Sequence, residues 1–256
     1  MSSPVPSPGV IDSHCHLPLA HAEELVAAAH EAGVDQMISV GCNRASSLEA
    51  LAVAHAHPSV HATVGLHPHD AKDGVSSIRD LFDRPGVLAV GECGLDYYYE
   101  HSPRDVQRAA FAEQIALAHE RHLPLVIHTR DAWNDTFEIL ESVGVPDRTI
   151  FHCFTGGPSE AERCLELGAY LSFSGIVTFK NANEVHEAAA RCPDGRFLVE
   201  TDSPYLAPVP FRGRKNQPAH VTHVAARLAE LRRTSMESIV EMTRRTTMIA
   251  FSLTDS

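Results

Sequence analysis

Short apolar runs alternate along the chain with longer stretches in which apolar residues recur at helical spacing. The short runs predict eight β-strands, at residues 10–15, 36–40, 61–66, 87–92, 125–128, 149–153, 169–173 and 197–201. Helical spacing predicts α-helices at residues 22–32, 46–57, 103–122, 136–143, 159–167, 183–191, 220–231 and 236–251. Alternating strands and helices are typical of a parallel sheet, and eight such units suit an α/β chain with the (β/α)8 TIM-barrel fold.

An open, doubly wound sheet would show the same alternation. Its dinucleotide-binding form carries a GxGxxG signature after the first strand, which this chain lacks. The chain also has no internal repeat, low-complexity tract or linker, so we predict a single barrel domain over residues 9–256. Residues 1–8 contain Pro4, Pro6 and Pro8, which block helix formation, and we expect a disordered N-terminal tail there.

The composition is that of an ordinary globular protein, with 44% hydrophobic and 21% charged residues, which excludes a disordered or fibrous chain. The net charge of −12 excludes a protein that coats nucleic acid through overall positive charge. The N-terminal residues lack the basic and apolar regions of a signal peptide, and no apolar run reaches about 18 residues. The six cysteines are scattered and form no CxxC pair. We therefore expect a cytoplasmic protein with free thiols and no membrane contact.

Histidine is frequent, with 17 residues, and its positions are informative because TIM-barrel active sites lie at the C-terminal ends of the strands. Imidazole or carboxylate groups occur at five predicted strand ends and just beyond a sixth, but not after the second or seventh strand. These residues are His14, His16, His67, His69, Glu92, His128, His152 and Asp202. Each residue alone would equally suit a hydrogen-bonded core position or an ion pair. Four of these histidines, His14, His16, His128 and His152, together with the two carboxylates around one mouth, suit two divalent ions bridged by a carboxylate.

The neighbours of these residues can be assigned from the alternation of strand side chains. Asp12, two residues before His14, could orient an imidazole through a hydrogen bond. Cys15, Cys93 and Cys153 each adjoin a candidate ligand, and the alternation turns them away from the mouth. We predict that these thiols pack against the helices and are neither ligands nor nucleophiles.

Two predicted loops at the same end could contact a substrate. No acidic residue occurs in residues 203–229, and this stretch contains Arg212, Arg214 and Lys215 in a loop after the eighth strand. Beside metal ions such a loop would suit phosphate oxygens, although a solvated surface loop has the same composition. Residues 97–99 are three consecutive tyrosines after the fourth strand. Aromatic side chains at a rim can stack on bases, but we expect ordinary packing for at least two of the three.

Taken in chain order, the motifs resemble those of a known family. They are HCH at residues 14–16, GLHPH at 65–69, GECGLDYYY at 91–99, HTRDA at 128–132, HCFTG at 152–156, SFSGIVTFKNA at 172–182, ETDSPYLAP at 200–208 and RGRKNQ at 212–217. This ordered set resembles the TatD-type metal-dependent deoxyribonucleases. The resemblance implies a TIM barrel of the metallo-dependent hydrolase superfamily. It also implies hydrolysis of DNA phosphodiester bonds in the cytoplasm, often from the 3′ end, with two or more divalent metal ions.

Matched motif by motif, the resemblance implies one set of metal ligands: His14, His16, Glu92, His128, His152 and Asp202. Glu92 would bridge two ions. The histidines of the first strand would share one ion with Asp202, and those of the fifth and sixth strands would hold the other. Glu92 and Asp202 are the expected catalytic residues, with Asp202 orienting or deprotonating the attacking water. Imidazole ligands suit Zn or Mn, whereas Mg, the usual metal of the family, prefers oxygen ligands, so the identity of the ion stays open.

The expected partner is DNA, and no protein partner is predicted. His67 and Arg212 are candidates to hold the phosphate, together with Arg214 and Lys215. Gln217 stands where the family commonly has Glu, which leaves the substrate contacts of this loop undefined. Two other functions stay open on the sequence: a metal-dependent deacylase or ester hydrolase, for example on aminoacyl-tRNA, and a metal-binding barrel without catalysis.

Overall fold

The structure is a computed structural model that describes residues 9–254. At its centre, eight parallel strands follow one another in chain order, each hydrogen-bonded to the next. They are β1 (Val10–Cys15), β2 (Val34–Ser39), β3 (Val60–Val64), β4 (Val87–Asp96), β5 (Leu125–Arg130), β6 (Thr149–Phe151), β7 (Tyr170–Phe173) and β8 (Phe197–Val199). The predicted (β/α)8 fold is confirmed, and every predicted strand overlaps an observed one.

Helices cover the outside of this barrel. They are α1 (Ala22–Glu31), α2 (Arg44–Ala56), α3 (Arg104–Arg121), α4 (Trp133–Val143), α5 (Pro158–Glu166), α6 (Asn183–Arg191), α7 (Val221–Arg232) and α8 (Met236–Phe251). The connection from β3 to β4, where the sequence predicts no α-helix, contains short 3-10 helices instead. Helix ends agree with the prediction to within a few residues. At α2, for example, the side chain of Asn43 caps the helix by accepting the backbone N–H of Ser46.

Side-chain alternation along the strands gives the barrel two buried layers. Residues such as Ile127 of β5 pack against the surrounding helices. The intervening positions, such as Val126 and Ile150, form a separate cluster inside the barrel. His128 and His152 continue these interior positions, so their imidazoles emerge at the C-terminal mouth.

Backbone hydrogen bonds between β1 and the segment after β8 bring the two ends of the sheet together. The N–H of Asp202 donates to the carbonyl of His14 at 2.9 Å, and the N–H of His16 donates to the carbonyl of Ser203 at 2.8 Å. This pairing brings Asp202 beside the two histidines of β1, although they come from opposite ends of the chain.

Gly94 allows β4 and β5 to pass closely at the mouth. Its φ is +133°, and a Cβ atom there would lie 2.0 Å from the carbonyl oxygen of His128. Only glycine tolerates both conditions without strain. Because of this close approach, β4 continues past Glu92 to Asp96 while it remains paired with β5.

The predictions about the N-terminal tail, the cysteines and membrane-spanning segments concern the chain as a whole. The predicted tail of residues 1–8 lies outside the described residues. All six cysteines are free thiols. Between residues 9 and 254, no helix has the length and apolar character needed to cross a membrane.

Candidate metal centre

Except for His69, the predicted strand-end residues lie around the carboxylate of Glu92 at the C-terminal mouth. Its two oxygens face different imidazoles and divide the centre into two parts. We call the first part the Oε2 half; its other members are His14, His16 and Asp202. The second part, the Oε1 half, contains His67, His128 and His152. The six predicted ligands thus lie together, and His67, predicted only as a phosphate contact, lies among them.

The Oε2 half is spaced as ligands around an ion would be. Glu92 Oε2 lies 3.5 Å from His14 Nε2 and 3.9 Å from His16 Nε2. Asp202 Oδ1 lies 3.9 Å from His14 Nε2 and 3.4 Å from His16 Nε2. Ligand atoms about 2.0–2.1 Å from a tetrahedral zinc ion are roughly 3.3–3.4 Å from one another. These separations are longer than ordinary hydrogen bonds and close to that ligand spacing.

The Oε1 half is drawn in around its carboxylate oxygen. Glu92 Oε1 lies 2.8 Å from His152 Nε2, 3.1 Å from His128 Nδ1 and 3.4 Å from His67 Nε2. The first two distances are those of hydrogen bonds. The three ligand atoms of His67, Glu92 and His128 are nevertheless close enough together to hold one ion.

Two further buried carboxylates lie behind the Oε1 half and orient its histidines. Asp96 Oδ2 lies 3.1 Å from His128 Nε2 and 3.1 Å from His69 Nε2. Glu200 Oε1 lies 3.3 Å from His152 Nδ1. A carboxylate on the outer ring nitrogen fixes the tautomer and the direction of an imidazole, as it does in many metal sites.

Asp12 does not have the orienting role that its position in the sequence suggested. Its side chain is fully buried and accepts hydrogen bonds from the backbone N–H and the hydroxyl of Thr201, at 2.8 and 2.6 Å. Burial raises the pKa of Asp12 to about 8, although these hydrogen bonds act in the opposite direction. Asp12 therefore joins β1 to the end of β8, while Asp96 and Glu200 orient the histidines.

Glu92 and His14 have the charge states that bind a cation, whereas, against the effect of burial, Asp96 and Glu92 raise the pKa of His128, and Glu92 and Glu200 raise that of His152. Burial by itself raises the pKa of the Glu92 carboxyl, but the surrounding imidazoles, His152 and His67 first, outweigh it and hold that pKa well below its usual range. Burial and the nearby His152 lower the pKa of His14. An ionised carboxylate and a neutral imidazole are the forms that coordinate divalent metals.

Buried polar atoms without partners show that these residues fit a metal ion. Neither ring nitrogen of His14 makes a hydrogen bond within the described part of the chain, and its ring stacks on that of His152 at 3.9 Å between centroids. A buried polar group without a partner is costly. A cation held in the Oε2 half would take one of these nitrogens as a ligand and would offset that cost.

Cys42 is a member of the centre that the sequence analysis missed. Its Sγ lies 3.4 Å from Glu92 Oε2 and 3.8 Å from His16 Nδ1. The sequence predicted no metal-binding group after the second strand, because only imidazole and carboxylate groups were counted as ligands there. Ile38 and Val40 belong to the cluster inside the barrel, and the same two-residue alternation leads to Cys42 at the mouth.

The thiols that adjoin the candidate ligands lie on the other face of the strands. Cys15 and Cys93 are fully buried, and their thiols donate to the carbonyl oxygens of Ile38 and Val126. The predicted burial is confirmed for both. Cys153, which lies beyond the end of β6, is only half-buried, so the predicted burial is wrong for this residue; its Sγ lies 3.2 Å from the hydroxyl oxygen of Ser174.

The three tyrosines after Glu92 do not pack as expected. Tyr98 and Tyr99 are 58% and 52% exposed, and only Tyr97 is half-buried. The expectation that at least two of the tyrosines pack against the protein is wrong. Asp96 holds the turn that follows β4, and this turn places Tyr98 and Tyr99 on the surface. The Oδ1 atom of Asp96 accepts the backbone N–H groups of both, at 3.0 and 2.9 Å. The Arg130 guanidinium lies over the two exposed rings, 4.0 and 4.9 Å from their centroids.

The basic loop after β8 reaches the mouth beside the Oε2 half. Arg212, Arg214 and Lys215 are all exposed. The Arg212 guanidinium carbon lies 3.6 Å from the centre of the Phe179 ring. This contact fixes Arg212 over the segment that follows β7. Lys215 lines a cavity that His16 also lines.

The sequence profile of the family described as "TatD related DNase" matches residues 11–252. The chain belongs to this family. A relative from Bacillus subtilis, the "uncharacterized metal-dependent hydrolase YabD", is 39% identical over 243 residues, which cover 91% of this chain and 95% of the relative. A Klebsiella pneumoniae relative, named "3′-5′ ssDNA/RNA exonuclease TatD", is 36% identical over 221 residues, which cover 82% of this chain and 84% of the relative.

Solved structures of TatD-family proteins have the same fold. The Escherichia coli K12 TatD homologue YJJV superposes with a TM-score of 0.87 at 28% sequence identity, over 96% of this chain and 98% of that one. This member of the TatD-related DNase family is therefore a metal-dependent hydrolase built on a TIM barrel. The clustered histidines and Glu92 at its mouth are groups that could bind the metal.

Proposed function

We propose that this TatD-family hydrolase cleaves phosphodiester bonds of nucleic acid, with DNA as its substrate and the 3′ end of a strand as its point of attack. One observation carries the proposal: the acid-free segment of residues 203–229 borders the metal centre in a chain whose net charge is −12. Local positive charge beside a divalent-metal centre favours a polyanion over a small neutral ester or amide.

The centre would hold two or more divalent ions, of Mg, Mn or Zn, in its two halves. When bound, such ions lower the pKa of an attacking water and stabilise the charge on the leaving oxygen. Glu92 serves both halves, because Oε2 faces His14 and His16 while Oε1 faces His128 and His152. Its ionised carboxylate keeps these four imidazoles directed into one space.

We assign proton transfer to Asp202. Its side chain is 13% exposed, compared with 5% for Glu92, so a water entering from the mouth reaches it more readily. Burial raises the pKa of Asp202, but the neighbouring imidazoles, His16 first and then His152, outweigh it and lower that pKa below its usual range. An ionised carboxylate at this position can orient the attacking water and accept its proton.

The substrate would contact both sides of the mouth. On the side of the basic loop, Arg212, Arg214 and Lys215 offer charge-assisted hydrogen bonds to phosphate oxygens. His67, 3.4 Å from Glu92 Oε1, is near enough to the centre to contact the scissile phosphate.

On the other side, the exposed pair Tyr98 and Tyr99 offers aromatic surface to unpaired bases. The Tyr99 ring lies 5.5 Å from the ring of His69, whose Nε2 contacts the Asp96 carboxylate behind the Oε1 half. The aromatic surface is therefore close to the centre. The name of the Klebsiella relative, a 3′-5′ exonuclease of single-stranded DNA and RNA, supports the same activity here.

The test is one panel of substrates assayed with Mg, Mn and Zn in turn. End-labelled single- and double-stranded DNA, RNA and aminoacyl-tRNA are incubated with the wild type and with the Glu92→Gln variant. We expect mononucleotides to be released from the 3′ end of DNA by the wild type, and not by a folded Glu92→Gln protein. Release of the amino acid from tRNA while every DNA strand stays intact would overturn the proposal in favour of a deacylase.

A further inference from the structure

A cavity of about 230 Å³ adjoins the Oε2 half, between α1 and the loop that follows β8. His16 forms part of its wall, and the Nε2 atom of the same imidazole lies 3.4 Å from Asp202 Oδ1. The cavity is therefore continuous with the metal centre. A group bound in it would lie one side chain away from the reacting bond.

The walls of this cavity suit a flat group with polar edges. Pro18, Leu25 and Pro204 supply apolar surface, and Gln217 supplies an amide. Heterocyclic bases combine stacking faces with hydrogen-bonding edges, and apolar or aromatic walls with an amide are typical of sites that bind them. The cavity is large enough for one heterocyclic base.

The charges at the cavity favour the base over the phosphate of a nucleotide. Lys215 and Glu24 both line it and carry opposite charges. A phosphate would be attracted by the first and repelled by the second, whereas an uncharged base is compatible with both. The phosphate has a more favourable position at the metal centre next to His16.

A rigid, buried side chain lies on the inner side of the cavity. Asn216 is 3% exposed, and its amide nitrogen donates to the carbonyls of Thr201 and Tyr205, at 2.9 and 2.6 Å. Its amide oxygen accepts the backbone N–H of Gln217 at 2.9 Å and lies 3.0 Å from His220 Nδ1. These four contacts hold the Asn216 side chain in place, so this part of the cavity wall is rigid.

We propose that this cavity binds the terminal base of a single-stranded nucleic acid while the adjoining phosphodiester lies at the metal centre. The inference rests on the proposed function and deepens it, because it gives a physical reason for attack at a strand end. One unpaired base occupies the cavity, and Asn216 forms its rigid inner wall. The end of a duplex enters only after its terminal pair has opened.

The direct test measures binding and not turnover. Isothermal titration of the Mg-loaded full chain compares deoxyadenosine 5′-monophosphate with deoxyribose 5-phosphate, which has the same sugar and phosphate but no base. We expect the base to tighten binding by on the order of tenfold. Equal affinity of the wild type for the two compounds would overturn the proposal.

Two variants test whether the preference comes from this cavity. Leu25→Trp fills it from α1, and we expect this change to abolish the preference for the base. Leu19→Trp is the matched control, because Leu19 is an exposed leucine of the neighbouring segment that does not line the cavity. Gln217→Ala removes only the amide and should reduce the preference several-fold even if Leu25→Trp fails to fold. If Leu25→Trp folds, an undiminished preference for the base in that variant would overturn the proposal. If only Gln217→Ala folds, an undiminished preference for the base in Gln217→Ala would overturn it.

Turnover separates this proposal from the function on which it rests. Linear single strands, the same strands with a terminal abasic residue, and circular single strands are compared. Slower cleavage of the abasic strand and no cleavage of the circle would support both proposals. Equal cleavage of all three substrates would support the nuclease activity but contradict binding of the terminal base in the cavity. The remaining outcome is a protein that hydrolyses no nucleic acid and still binds a base in a way that Leu25→Trp abolishes. That result would support base binding in the cavity and contradict the nuclease activity.

Discussion

The two halves of the metal centre are made of similar residues but differ in geometry. In the Oε2 half, carboxylate oxygens and imidazole nitrogens are 3.4–3.9 Å apart. In the Oε1 half, the same Glu92 side chain approaches its imidazoles to 2.8–3.4 Å. The first spacing leaves room for an ion between the groups, whereas the second includes direct hydrogen bonds.

The halves also differ in what lies behind them. Asp96 and Glu200 contact the outer nitrogens of the Oε1 histidines. In the Oε2 half, His16 Nδ1 lies 3.2 Å from the carbonyl of Val40, and the ring nitrogens of His14 have no hydrogen-bond partner within residues 9–254. The protein itself therefore fixes the geometry of the Oε1 half, while the Oε2 half depends more on the ion.

Glu92→Ala removes the one side chain that the halves share, so we expect the largest effect from it. Hydrolysis should fall by roughly 10³-fold or more, because both charge stabilisation and ion binding depend on this carboxylate. Metal content per chain, measured by plasma mass spectrometry, should fall in both halves, while circular dichroism shows a folded barrel. Loss of metal from one half alone would mean that the halves are independent, and full activity would exclude a shared carboxylate.

Asp96→Asn and Glu200→Gln remove the two carboxylates that contact the outer nitrogens of His128 and His152. We expect each change to weaken metal binding at this half by roughly 10–100-fold, as is usual when the partner of a metal-binding histidine is lost. Competition with a chelator measures the affinity. Asp80→Asn is the control, because this exposed carboxylate pairs with Arg44 on the surface. Unchanged affinity in both variants would show that the Oε1 geometry does not depend on these carboxylates.

The same contrast explains how much of the centre could be predicted from the sequence. Alternation along single strands identified the barrel and the residues at each strand end, because both follow from local pattern. Asp96 was not identified, since its role depends on how far β4 continues beside β5, which Gly94 permits. The position of Asp12 against Thr201 likewise depends on pairing between β1 and the segment after β8. Contacts across the barrel are set by register and closure, which no local pattern encodes.

The basic loop borders the Oε2 half, so its removal tests whether that side carries the substrate. We expect Arg212→Ala plus Lys215→Ala to raise KM for a labelled DNA strand several-fold. A phosphate backbone releases counterions when it binds, so the double change should also flatten the dependence of KM on salt by up to about two charges. Metal content should not change, because neither residue faces the Glu92 carboxylate.

The control for the loop carries the same change in net charge elsewhere. Arg84→Ala plus Arg245→Ala alters two exposed arginines, one before β4 at the opposite end of the barrel and one on α8. An equal effect of both double variants would mean that overall charge, and not this loop, attracts the strand. An unchanged salt dependence in the loop variant would mean that Arg212, Arg214 and Lys215 lie on a solvated surface loop, and would favour the deacylase or ester hydrolase.

The smallest expected effects separate the two faces of the strands. Cys42 and Cys93 both lie near Glu92, but the Cys42 thiol is 3.4 Å from Oε2, whereas the Cys93 thiol is fully buried and donates to the carbonyl of Val126. Replacement by Ala removes one sulfur atom in each case, so the two variants are matched. Cys93→Ala should lower the free energy of unfolding by about 1 kcal/mol or more, in chemical denaturation, and leave zinc affinity unchanged. Cys42→Ala should do the opposite: a few-fold change in zinc affinity at the Oε2 half with little change in stability. If Cys93→Ala altered metal affinity more than Cys42→Ala, the assignment of the faces, and with it the separation of the Oε2 half from the packed core, would be wrong.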